Sequence, residues 1–284
     1  MNAIELNHIC KSFGSFAIQD LNLTVPSGTI CGLVGENGAG KSTTIRLLMG
    51  ALRPDSGRAA VLGMDASAPE FTRMKENIGV VLDEAHFPET LNALQVGKIM
   101  ADTYRQWEQA VYEDYLKRFD LPEKKPFKDF SRGMTMKLAI AAALSHRPKL
   151  LVLDEATGGL DPIVRDEVLE IFNEFTREED HSILISSHIV SDLEKLCDYI
   201  AFLHQGRLLF CQEKDQLLED YGVFVGTAEQ AESLLPEAVI GREASDYGGV
   251  RALVRRSMVP ESLALERPTI EEIILFIVKG AEKR

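Results

Sequence analysis

"GENGAGKST" occupies residues 35–43 and fits the pattern G-x4-G-K-[ST]. Glycines at these places let the backbone curl until several N–H groups point inward at phosphate oxygens. The stretch follows "TICGLV" (29–34), a β-rich apolar run, and opens into the helix-like "STTIRLLMG" (42–50). Strand, glycine loop and helix together form a phosphate cradle, because the helix adds its positive end to the loop. Gly35, Glu36, Asn37, Gly38, Ala39 and Gly40 are the expected cradle. Lys41 is expected to reach the β- and γ-phosphates, and the Ser42 hydroxyl, beside Thr43, to take a Mg²⁺ position.

A second stretch, "LVLDEATGGLDP" (151–162), completes this reading. A short apolar run ends in two adjacent acids, Asp154 and Glu155. Phosphate-loop folds use a second strand to supply an Asp that holds Mg²⁺, and Asp154 suits that place. Glu155, one residue further, can orient and polarise a water for in-line attack on the γ-phosphate. The plain alternative is a solvated acid at a strand end. The glycine loop and Asp154 in the same chain favour the chemical role.

Around these stretches the chain reads as α/β. Ile4, Leu6 and His8 alternate, as do Leu21, Leu23 and Val25, so both stretches are expected as half-buried strands. "IGVVL" (78–82), "KLLVL" (149–153) and "SILISS" (182–187) read as buried strands, and "YIAFLHQGRLLF" (199–210) as a hairpin turning at Gln205-Gly206. Helical periodicity dominates from about Glu84 to Phe130 and again in "MKLAIAAAL" and "VRDEVLEIFNEF". Strands alternating with helices imply a sheet with parallel strands, and the middle stretch reads as an inserted helical subdomain, 84–145. After about Asp220 the pattern changes to short strands and a final helix, "TIEEIILFIVKG", with an apolar face. We expect a phosphate-loop nucleotide-binding domain over 1–219 and a small α+β appendage over 220–284.

Composition bounds the remaining choices. The chain has 284 residues, 45% hydrophobic and 26% charged, with a net charge of −13. These are the proportions of a globular protein with a sizeable core. The acidic balance speaks against a nucleic-acid surface, so no nucleic-acid partner is expected. No apolar run approaches the roughly 20 residues of a membrane span, and no charged-then-apolar leader opens the chain. The expected location is therefore cytoplasmic. Cys10, Cys31, Cys197 and Cys211 lack C-x-x-C spacing and read as reduced structural thiols.

Three further stretches narrow the use of the nucleotide: "FSRGM" (130–134), "GGLD" (158–161) and "ISSHIV" (185–190). With them the chain resembles the ATP-binding subunit of ABC transporters, over about residues 1–219. "GENGAGKST" looks like Walker A, "LLVLDE" like Walker B, "FSRGM" like the signature, "GGLD" like the D-loop and "SSH" like the switch histidine. The resemblance implies a P-loop NTPase of ABC type: a parallel-sheet core, an N-terminal antiparallel β subdomain and an inserted helical subdomain. It implies ATP and Mg²⁺ as cofactors, and two ATPase subunits, identical or different, closing around two ATP.

In that arrangement Ser131 and Gly133, with Met134, would face the γ-phosphate held by the opposite subunit. His188 would position water with Glu155, Asp161 would link the two sites, and Phe13 would stack on adenine. Helix capping by Ser131, a structural His188 and core packing of Phe13 are the bland alternatives. A membrane-spanning permease is the implied partner, with the protein peripheral on the inner face of the cell membrane. "SRGM" and the appended tail resemble the ATPases of bacterial ABC-2-type exporters.

Three residues depart from the family's pattern. Met134 stands where the signature's second glycine is usually followed by Gln. Arg132 replaces the signature's first glycine, and Asp83 stands after "IGVVL" where the family usually has a glutamine that touches the metal and the attacking water. An Asp can still reach Mg²⁺, but it adds negative charge near the γ-phosphate, so slower or differently coupled hydrolysis is expected. A soluble ABC-type ATPase acting on nucleic acid or the ribosome is the alternative; it would carry coiled-coil inserts, zinc modules or a second cassette. A GTPase would want N-K-x-D, which is absent. A P-loop kinase would not need the signature, D-loop and switch histidine together.

Overall fold

The computed structural model describes residues 1–83, 87–244 and 249–281. Residues 84–86, where the expected helical subdomain begins, and 282–284, at the end of the expected appendage, lie outside the described residues. In chain order the elements are β1 (Asn2–Phe13), β2 (Phe16–Pro26), β3 (Ile30–Val34), α1 (Lys41–Leu48), β4 (Ser56–Val61), β5 (Met64–Asp65), α2 (Phe71–Met74) and β6 (Ile78–Val81). Then come α3 (Ala93–Thr103), α4 (Gln109–Arg118), α5 (Arg132–Leu144), β7 (Leu150–Asp154), α6 (Pro162–Phe175), β8 (Ser182–Ser187), α7 (Val190–Leu196), β9 (Tyr199–His204) and β10 (Arg207–Glu213). The chain continues with α8 (Lys214–Asp220), β11 (Tyr221–Gly226), α9 (Ala228–Glu232), β12 (Val239–Ala244), β13 (Val250–Arg255) and α10 (Ile270–Ala281).

The chain divides into two compact units. One is Met1–Ile189 with Tyr199–Cys211; the other is Val190–Asp198 with Gln212–Arg284. In the first, a six-stranded sheet runs β10-β9-β3-β8-β7-β6. β3 pairs in parallel with β8 and β9, and β7 with β6 and β8. Every residue of β3, β7 and β8 is buried, as expected of parallel strands covered on both faces. Their continuous apolar runs reflect that burial. A second sheet, β2-β1-β4-β5, is antiparallel. One core joins the two, with Leu6, Leu21 and Leu23 in the same cluster as Cys31, Leu33 and Ile45.

Leu21, Leu23 and Val25 point inward as their alternation predicts. In β1 the alternation fails at His8, which is exposed with φ +51°, while Ile9 is buried. The register shifts between Leu6 and Ile9: a bulge inserts an extra residue and resets which side chain faces the core.

Between β6 and β7 lie α3, α4 and α5. Asn92 caps α3 through a capping box with Gln95. Tyr112 of α4 is fully buried against Gly97 of α3, and its hydroxyl donates to the Ala93 carbonyl at 2.8 Å.

The second unit contains the three-stranded antiparallel sheet β11-β13-β12. α10 buries Ile270, Ile273, Ile274 and Phe276. It approaches β12 closely because Gly241 has no side chain; a Cβ there would meet the Phe276 carbonyl.

Candidate nucleotide site

The stretch 35–40 forms the turn between β3 and α1. Ala39 N donates back to Glu36 O at 3.1 Å, and Thr44 N to Gly40 O at 2.8 Å. Gly38 has φ +82° and Gly40 φ +113°, which side chains rarely adopt. At Gly40 a Cβ would stand 2.6 Å from Ile18 Cδ1, so space as well as dihedral demands glycine. At Gly38 no described atom lies within 4 Å of a Cβ built there. At Gly38 the dihedral alone, and not crowding, favours glycine.

Lys41, the first residue of α1, is only 6% exposed. Its ammonium donates to the carbonyls of Gly35 (2.7 Å) and Glu36 (3.3 Å) and pairs with Glu155 Oε1 at 3.2 Å. Ser42 is exposed beside it and Thr43 is half-buried.

Asp154 ends β7, buried, and accepts from Ser186 Oγ at 2.6 Å. Glu155 N donates to Ser186 O and Oγ, both at 3.1 Å. Those bonds hold Glu155 at φ +53°, a strained backbone for a residue with a Cβ. The turn aims its carboxylate at two partners: Lys41 on one oxygen and His188 on the other, with Nδ1 of His188 2.7 Å from Oε2. A carboxylate only accepts, so Nδ1 carries the proton of that bond. Burial pushes the Glu155 carboxyl up, but the His188 hydrogen bond and the Lys41 charge outweigh it and hold the group below the ordinary carboxylate range.

The structure therefore brings together Lys41, Asp154, Glu155 and His188 from three stretches of the chain. Ser131 is the N-cap of α5 and accepts from Met134 N at 3.2 Å; Gly133 lies against Val164. Asp161 caps α6, accepting from Ile163 N and Val164 N. Ser131 and Asp161 thus spend their side-chain oxygens on their own helices rather than on the Lys41–Glu155–His188 group, and both sit at exposed helix starts. Phe13, at the end of β1, is 41% exposed, with the Lys11 ammonium 5.8 Å from its ring centre. Asp83 turns to another partner: its carboxylate accepts from Arg132 at 2.8 Å.

Two supports were missed in the sequence. Ser186 fixes both acids at the end of β7, and only its place in "ISSH" hints at it. Gly206, in the β9–β10 turn, donates to Ala39 O at 2.9 Å and so braces the phosphate loop; its carbonyl accepts from Gln19 N at 2.8 Å.

Among the described residues no three His, Cys, Asp or Glu side chains converge as a metal cage. A carboxylate and a hydroxyl, Asp154 and Ser42, are hard oxygen donors. They fit a Mg²⁺ that arrives with phosphate oxygens and retains water.

A glycine loop between strand and helix, its lysine paired with an acid at the end of another strand of the same sheet, defines a P-loop nucleotide-binding protein. The chain belongs to the family of ABC transporter ATP-binding proteins. The family model described as ABC transporter matches residues 18–158. The lantibiotic transport ATP-binding protein SrtF of Streptococcus pyogenes is 35% identical over 215 residues, 75% of this chain and 91% of that protein. The bacitracin transport ATP-binding protein BcrA of Bacillus licheniformis is 37% identical over 212 residues, 72% of this chain and 68% of that protein. A solved structure described as the ATP binding subunit of an ABC transporter is 29% identical, covers 76% of this chain and 91% of its own, and superposes with a TM-score of 0.68. ATP is the nucleotide of this family, and ATP hydrolysis its activity.

Proposed function

We propose that this chain hydrolyses ATP with Mg²⁺ as one of two ATPase subunits that close around two ATP and drive a membrane permease, in the direction of export. The observation that carries the reading is the convergence of Lys41, Glu155 and His188 at 3.2 and 2.7 Å. Those three residues supply a phosphate-binding cation, a base kept ionised and a donor that fixes the base.

Glycine-loop N–H groups and Lys41 bind and orient the triphosphate. Glu155 accepts the proton of the attacking water, and His188 holds Glu155 in place. Mg²⁺, held by Ser42 and Asp154, would supply charge neutralisation at the phosphates, with Asp83 a further carboxylate within that neighbourhood. Phe13, already solvent-facing, is our candidate for stacking on adenine. Ser131 and Asp161, at exposed helix starts, with Gly133 and Met134, half-buried in the first turn of α5, are proposed to serve the opposite subunit's ATP, where the positive end of α5 suits a phosphate. Residues 1–219 would carry this function and 220–284 an accessory role.

BcrA and SrtF are named for bacitracin and lantibiotic transport, which favours transport over the alternative of nucleic-acid or ribosome work. Among the described residues no helix is long and apolar enough to cross a membrane. A separate permease fits that, with this chain peripheral on the inner face. The test is to trap Glu155→Gln with ATP in native membranes and identify what co-purifies. A polytopic membrane protein supports the proposal; ribosomes or nucleic acid in its place would overturn it.

A further inference from the structure

Two of the residues that depart from the family pattern, Arg132 and Asp83, meet in space. Arg132 Nη2 donates to Asp83 Oδ1 at 2.8 Å across 49 residues of chain. Arg132 opens α5 directly after its cap Ser131, and Asp83 lies just beyond β6. The guanidinium also lies over the turn after β7. A Cβ built on Gly159 would come within 2.8 Å of Arg132 Nη1, and one on Gly158 would be 3.8 Å from both Arg132 Nη2 and Glu155 Oε2. β6 and β7 run parallel with Val81 opposite Leu153.

Through Arg132, Asp83 is thus tied to the turn that carries Glu155, near the place proposed for a triphosphate. An unanswered negative charge there disfavours the binding of an anion. As a stability device the ion pair is weak, since both side chains are about half exposed, 54% and 50%. Its location gives it another use.

We propose that Arg132 is a positioning residue of its own chain's ATP site: it neutralises Asp83 and ties that carboxylate to the start of α5, so that an acid at 83 does not repel the nucleotide. The inference rests on residues 35–43 being a phosphate loop.

The test is equilibrium ATP binding by the full chain, in EDTA and with Mg²⁺, for Arg132→Ala, Asp83→Asn, the double variant, Arg132→Lys and Lys41→Ala. Arg132→Ala leaves one uncompensated negative charge and weakens metal-free ATP binding about fivefold. In EDTA, where no metal calls on that carboxylate, Asp83→Asn alone leaves binding unchanged or tighter, and in the double variant it restores the loss. Mg²⁺ shrinks the Arg132→Ala effect, because the freed carboxylate is then answered by the cation. Arg132→Lys retains most of the affinity.

A merely structural tie gives a different pattern. Asp83→Asn then breaks the same bond, weakens binding as Arg132→Ala does, and rescues nothing; that result overturns the proposal. So does an Arg132→Ala variant with unaltered metal-free affinity. If Lys41→Ala leaves wild-type ATP binding intact, the phosphate-loop reading itself falls, and this inference with it.

Discussion

At the scale of single residues, the Glu155 carboxylate has two suitors. One oxygen pairs with Lys41 and the other with His188. A γ-phosphate reaching Lys41 competes with Glu155 for that cation, which would leave Glu155 to its base role beside His188. Glu155→Gln removes the competitor and the base together. Turnover should fall at least about 100-fold, while ATP affinity stays equal or tightens; phosphate release and equilibrium binding measure the two. A parallel loss of both would contradict the assignment.

The pH profile gives a second check. A base works only deprotonated, and Glu155 is held below its ordinary value of 4.5. The acid limb of kcat/KM, which reports the free enzyme, should therefore lie lower than for an ordinary glutamate. The His188 bond is the leading influence opposing burial, so His188→Ala should move that limb upward. A limb unmoved by the substitution would remove His188 from the role. These residues were readable in sequence because each step of the chemistry demands one residue type at a fixed place after a strand or glycine loop. The Arg132–Asp83 contact was not readable, since nothing local in "FSRGM" or "VVLDEA" points from one to the other.

Among elements, the turn that joins β9 to β10 shows how an ordinary hairpin serves the site. "HQGR" predicts the turn and its glycine. That Gly206 reaches the phosphate loop depends on β9 lying beside β3, a matter of sheet order that periodicity does not carry. Gly206 has φ +77°, and a Cβ there would run into the Ala17 carbonyl. Gly206→Ala should cost about 1–3 kcal/mol through backbone strain. It should also weaken ATP binding, because the turn must move and its bond to Ala39 O with it. Gly63 is the control: φ +79°, with no described atom within 4 Å of a built Cβ. Gly63→Ala should cost only about 1–2 kcal/mol and leave ATP binding alone. Urea denaturation and nucleotide titration of the pair check this. Equal effects on binding would mean that the turn does not brace the loop. The strands β3, β7 and β8 were readable as unbroken apolar runs, whereas β1 misled at His8, where a bulge shifts the alternation by one residue.

At the scale of the whole chain, the second unit is discontinuous. The chain leaves the first unit after Ile189, contributes α7 to the second, returns for β9 and most of β10, and leaves again at Gln212. The change of texture near Asp220 marks the start of β11. Yet α7 joins the unit built from the C-terminal residues, although an ordinary amphipathic helix gives no sign of its destination. Within that unit α10 packs against α7, and Leu193 and Leu196 of α7 are 0% and 5% exposed.

A truncation at 220 therefore does not remove a free-standing tail. It strips α10 and the β11-β13-β12 sheet from α7 and from Leu217 and Leu218 of α8, which are also buried. Each uncovered leucine forfeits roughly 1.5–3 kcal/mol of burial, against a typical total stability of about 5–15 kcal/mol. Deleting 220–284 should give a chain that binds a hydrophobic dye, elutes as aggregates and melts lower than the full protein. Replacing Leu193, Leu196, Leu217 and Leu218 with glutamine in the truncated chain should restore solubility, because the loss is one of exposed apolar surface. A truncated chain that remains soluble, dye-silent and equally stable without those changes would show that α7 and α8 need no cover from the residues beyond 220.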